Sequence, residues 1–113
     1  MQRLLSIFFK THMKNALTLA QSYIKLVKKS GIPVAKAYLY GSYAKKNQDK
    51  DSDIDICVVS PIFGKNYTNE NIKLRMLTLD VDTKIEPVAF NPSDMANKYD
   101  SLAIEIQRTG VII

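Results

Sequence analysis

Apolar residues near the start of the chain recur in steps of three and four, at Leu5, Phe9, Met13, Ala16, Leu17, Ala20, Ile24 and Val27. That spacing marks one face of a helix and predicts a long helix from about Leu4 to Lys29. Lys28 and Lys29 suit the negative end of its dipole, Gly31 suits the cap beyond it, and Pro33 blocks continuation. The pattern then changes period. VAKAYLY, Val34 to Tyr40, is aromatic, β-branched and alternating enough for a strand, closed by Gly41-Ser42. IDICVVS, Ile54 to Ser60, is a continuous apolar run stopped by Pro61, as expected for a strand covered on both faces.

Pro61 to Asn71 reads as a loop. The next segment fits two periods: Ile72, Met76 and Leu79 suit a helix, whereas Ile72, Leu74 and Met76 suit a strand. The helix is preferred, with Thr68 near its cap. KIEPVAF, Lys84 to Phe90, is a third strand, and Pro87 inside it points to an edge position or a bulge. Asn91, Pro92 and Asp94 form a good helix start, and a last helix runs from its cap Asp100 to Gly110. The order predicts one α+β or α/β domain, a small sheet with helices packed on it, spanning residues 1–113.

Composition narrows the class without naming it. The chain has 113 residues, 46% hydrophobic and 24% charged, which suits a globular domain with a single core. The apolar run before Lys10 is only six residues long, and no segment approaches the roughly 18 that a membrane span needs. A lone cysteine, Cys57, excludes an internal disulfide and fits a reducing compartment, so a cytoplasmic protein is expected. Between Ile56 and Val58 its thiol should be buried and unreactive. The net charge of +5 suits a phosphate-bearing partner, although on charge alone a solvated lysine-rich surface is the preferred explanation. Basic and aromatic residues show no interleaving of the kind used to stack single-stranded nucleic acid, so a nucleic-acid partner is not expected.

The chemistry concentrates in GSYAKKNQDKDSDIDICVV, Gly41 to Val59. Asp53 and Asp55 are two apart at the mouth of a strand, so they share a face. Like charges held close oppose each other's ionisation, which calls for a cation between them. If the strands ending at Tyr40 and starting at Asp53 are neighbours, Gly41-Ser42 meets the aspartates at one end of the sheet. Ser42 would open a short helix through Tyr43-Ala44-Lys45, whose free N–H groups favour a phosphate. Magnesium binds through one or two carboxylates plus substrate phosphates, and a third carboxylate would admit a second ion. Glu86, central in the third strand, is the candidate. The alternation of Asp49, Asp51, Asp53 and Asp55 superficially suggests a calcium loop, but Ile54 or Ile56 stands where that loop requires glycine. His12 has no second ligand at a useful spacing, and Tyr43 and Tyr40 flank the corner.

Gly41-Ser42, ten residues, then Asp53-x-Asp55 resembles the signature of DNA polymerase β-like nucleotidyltransferases, in particular their minimal nucleotidyltransferase (MNT) domains. The leading helix, YLYGSYAK, SDIDICVV, KIEPVAF and IQRTGVII follow in the order of that family, over nearly the whole chain. The resemblance implies the nucleotidyltransferase fold, a small mixed sheet flanked by helices. It implies that Asp53, Asp55 and Glu86 bind two magnesium ions and carry catalysis, and that Gly41 and Ser42 hold the phosphates of ATP or another nucleoside triphosphate. The implied reaction transfers a nucleoside monophosphate, AMP in several relatives, to a hydroxyl and releases pyrophosphate. Members of this size often pair as antitoxins with a HEPN-domain toxin, and some modify a tyrosine of that toxin. A catalytically inactive antitoxin that neutralises its partner by binding is the alternative, and self-association stays open. Lys46 departs from the glycine usual in the family's turn.

Overall fold

The computed structural model describes residues 2–43 and 52–113, with side chains from residue 15 onward. The helix expected through Tyr43-Ala44-Lys45 falls outside these residues beyond Tyr43, which lies in a turn, and Lys46, Asp49 and Asp51 fall outside them. The side chain of His12 lies outside them too.

Helix α1 is Gln2–Lys29, followed by strand β1, Lys36–Tyr40, and strand β2, Ile54–Val59. Helix α2, Tyr67–Leu77, passes through a 3-10 turn at Thr78–Asp80 into strand β3, Ile85–Phe90. The short helix α3, Pro92–Met95, helix α4, Ser101–Thr109, and strand β4, Val111–Ile112, complete the chain. Among the described residues the sheet has four strands in the order β3-β2-β1-β4. β1 is antiparallel to both β2 and β4, and β2 is parallel to β3, so the sheet is mixed.

Period-2 alternation sends the two faces of the sheet into two cores. Leu39, Ile54, Ile56, Val58 and Ile85 face α1 and α2, meeting Ala16, Ala20, Tyr23, Val27 and Leu74. Tyr38, Cys57, Val59 and Phe90 face α3 and α4, meeting Met95, Ala103 and Ile106. Hence β2 is apolar at consecutive positions: it is an inner strand with helices on both sides. The small residues Ala16 and Ala20 let α1 lie close to the sheet. The buried Tyr23 hydroxyl donates to the Leu74 carbonyl (2.7 Å), tying α1 to α2 and leaving that hydroxyl satisfied.

Several expectations are refined. The helix expected after the loop exists but begins at Tyr67. Its cap is Asn66 rather than Thr68, with the Asn66 side chain accepting from the Asn69 N–H (3.1 Å). Its orientation also differs. Leu74 and Thr78 are buried, while Ile72, Met76 and Leu79, the residues whose period suggested the helix, are exposed. Pro87 does sit in an edge strand, and the pairing with β2 runs without a break from Ile85 to Phe90, so there is no bulge. The Ala89 N–H turns away from β2 and donates to Asn71 Oδ1 (2.9 Å). Pro87, two residues earlier, points its nitrogen to the same outer side, where no ladder bond is lost. Asn91 forms a full capping box with Asp94, and Asp100 caps α4 through the N–H groups of Leu102 and Ala103. β4 was not expected: two residues are too few to show a period.

Candidate functional site

The site is built from a row of side chains across three strands. Tyr40, the last residue of β1, is the partner of Asp55 in β2, and Asp55 is the partner of Glu86 in β3. Residues opposite one another in a sheet share a face, so all three lie on the side of α3 and α4. Asp55 precedes Cys57 and Val59 on that face, where the helical cover gives out, and is half-buried. Asp53 lies two residues before it and is exposed.

Gly41 follows Tyr40 and turns the chain at φ +74°, a conformation that side chains rarely adopt. Its Cα also faces the Asp55 carboxylate. A Cβ at this position would collide with that group, its Cγ standing only 3.0 Å away. Ser42 continues the turn, half-buried. The turn and the carboxylates therefore meet, as the strand pattern suggested. Tyr43, expected to flank the site, is instead buried in the core beside α1.

Electrostatics mark the same corner. Burial, followed by the negative charges of Asp53 and Glu86, pushes the Asp55 carboxyl up to about 6. Glu86 moves the other way, held below the usual carboxylate range mainly by a hydrogen bond from the Arg75 guanidinium. Arg75 comes from α2 and also feels the charge of Asp53. Burial, with Asp55 next, raises the Tyr40 phenol, which stays neutral beside the acids. Cys57, deeper on the same face, has its thiol pushed up to about 12 by burial alone and is inert. Arg75 is the residue that sequence reasoning missed. It follows the buried Leu74 in a helix whose facing was misread, so nothing in the pattern aimed it at Glu86.

The donor set is all oxygen, the chemistry that magnesium prefers. Among the described residues no three His, Cys, Asp or Glu side chains converge as a ready-made metal cage. That fits an ion held by one or two aspartates and completed by substrate phosphates and water. The residues present fit such a group.

A family model described as the nucleotidyltransferase domain matches residues 21–105, taking in every residue of this corner. The chain belongs to that family. No curated protein matches it. Among solved structures, this nucleotidyltransferase domain resembles a candidate nucleotidyltransferase from Sulfolobus solfataricus at 18% identity and TM-score 0.65, over 93% of this chain and 85% of that one. It also resembles a chain of a toxin-antitoxin crystallised with AMP-PNP, at 25% identity and TM-score 0.57, covering 79% of this chain and 67% of the other. A variant of the toxin-antitoxin MntA-HpeT shares the fold at 23% identity and TM-score 0.53, over 81% and 69% of the two chains. The nucleotidyltransferase fold inferred from the sequence is thus the observed one. No helix among the described residues is long and apolar enough to cross a membrane.

Proposed function

We propose that this nucleotidyltransferase domain transfers a nucleoside monophosphate, AMP from ATP, to a hydroxyl of a partner protein in the cytoplasm, as the antitoxin of a HEPN/MNT pair. The single observation that carries the reading is the contact of the Gly41 turn with Asp55, in register with Glu86. That geometry supports a triphosphate seated at the turn with its charge facing the carboxylates. Gly41 leaves room for the phosphates, and Ser42 offers a hydroxyl and a turn N–H to them. The acceptor oxygen bonds the α-phosphorus as the bond to the oxygen bridging toward the β-phosphate breaks, and pyrophosphate leaves. Two bound magnesium ions, held by Asp53, Asp55 and Glu86, would supply charge neutralisation and an activated acceptor hydroxyl.

The 25% identical toxin-antitoxin structure with AMP-PNP supports both an adenine nucleotide and a protein partner. The exposed row of Ile72, Met76 and Leu79 on and just after α2 supports a partner as well, since it is apolar area that a second protein would cover. The test is label transfer from each α-labelled ribonucleoside triphosphate with magnesium, to the protein alone and to the product of its neighbouring gene. Label that disappears in Asp53→Ala/Asp55→Ala is the expected result. Absence of label while the two proteins still co-purify would overturn transfer and leave neutralisation by contact.

A further inference from the structure

The acids at this corner call for positive charge, and among the described residues α2 brings a guanidinium, that of Arg75, to one of them, Glu86. We propose that Arg75 is a built-in counter-cation of the site: its guanidinium holds Glu86 while no divalent ion is bound, and releases it when an ion is shared between Glu86 and the aspartates. The inference rests on the metal-dependent reading above and specifies how access to the third carboxylate is controlled.

Its basis is geometric. The Arg75 guanidinium donates to Glu86 Oε2, on the residue in register with Asp55. Backbone anchors place it there. Leu74, just before it, is fully buried, and its carbonyl accepts from Tyr23. The Arg75 carbonyl accepts from Thr78 Oγ1 at 2.7 Å. The helix is thus pinned on both sides of the residue, and the side chain reaches out from a fixed base. Arginine keeps its charge at any working pH, so this counter-charge cannot be lost by titration.

The pair itself is open to water, with side chains 52% and 38% exposed. Ion pairs so exposed add little to folding stability, so stability does not account for an arginine on the third acid. The same exposure makes the pair easy to part. The guanidinium occupies Glu86 Oε2 and carries a charge like the ion's, so the two compete for one carboxylate. Removing the guanidinium frees that oxygen and removes a like charge from the ion's surroundings.

The experiment is manganese binding to the metal-free protein, with free Mn2+ followed by electron paramagnetic resonance. Removing one positive charge within several ångströms should tighten binding about tenfold in Arg75→Gln. Arg75→Lys, which keeps the charge, should stay near the wild-type value. In a Glu86→Gln background the Arg75→Gln gain should be clearly smaller, since only the loss of a like charge remains. Equal affinities for wild type and Arg75→Gln, or a gain undiminished without Glu86, would overturn the inference. The underlying metal site is judged separately: it fails if Asp53→Asn/Asp55→Asn binds Mn2+ as the wild type does, or if none of the proteins binds it. Unfolding curves of each variant confirm that it is folded before binding is read.

Discussion

Gly41 satisfies two constraints with one missing atom. Its φ of +74° is expensive for any residue with a Cβ, at about 1–2 kcal/mol. The same missing Cβ leaves the space that the Asp55 carboxylate occupies. Gly41→Ala should therefore lower the unfolding midpoint and, by displacing Asp55, cut nucleotidyl transfer by more than the stability loss explains. Comparing transfer rates at a temperature where both proteins are folded checks this, and a fully active variant would detach Gly41 from the site. Asp55 shows the cost of the arrangement. Its folded-state carboxyl titrates at about 6, above its unfolded value, so the folded protein holds the proton more tightly. Stability from this group therefore falls as pH rises from near 4 toward 6, and stays low above that. Asp55→Asn removes the penalty. Without divalent ions the variant should melt higher than wild type at pH 7.5, and the advantage should shrink as pH drops from 6 toward 4. A constant difference across that range would contradict the assignment.

Helices α2, α3 and α4 each begin at a side chain that accepts from their unpaired backbone N–H groups. Asp100 accepts from Leu102 N–H (3.0 Å) and Ala103 N–H (3.1 Å), anchoring the helix that carries Ala103 and Ile106 into the core behind the site. Asp100→Ala should destabilise the protein by about 1 kcal/mol, read from the shift of a denaturant midpoint at unchanged slope. Caps of this kind are local and were legible: Asn91 with Pro92 and Asp94, Asp100, and Gly31 stand where the pattern placed them. α2 was legible as an element and not as an orientation. Two apolar sets compete in its sequence, and only packing against Tyr23 and β3 selects Leu74 over Ile72 and Met76 as the inward side. Arg75 went unseen for the same reason: its direction follows from that of Leu74.

On the scale of the molecule, the sheet is covered unevenly. α1 and α2 back one face, while α3 and α4 cover the other over Tyr38, Cys57, Val59 and Phe90. Beyond that cover the face continues into Tyr40, Asp55 and Glu86, so polar chemistry begins where packing ends. The mixed topology is what gathers these groups. An antiparallel neighbour brings the C-terminal end of β1, with Gly41, to the N-terminal end of β2. A parallel neighbour brings the start of β3, with Glu86, to the same level. β4 then pairs with β1 through Leu39↔Val111 and Tyr38↔Ile112, protecting the strand that delivers the turn.

The sequence by itself determined the longer elements, the caps at Asn91 and Asp100, and the candidate set Gly41, Ser42, Asp53, Asp55 and Glu86. Those are questions of period, of local backbone preference and of motif spacing, which a chain carries along its length. Only the tertiary structure decided that Asp55 lies against Gly41 in one row with Tyr40 and Glu86, that Tyr43 turns into the core, that Val111 and Ile112 form a strand, and that Arg75 reaches Glu86. Each of these is a contact between segments whose separation in sequence says nothing of their separation in space. Strand order and burial choose them, through the free energy of the whole fold.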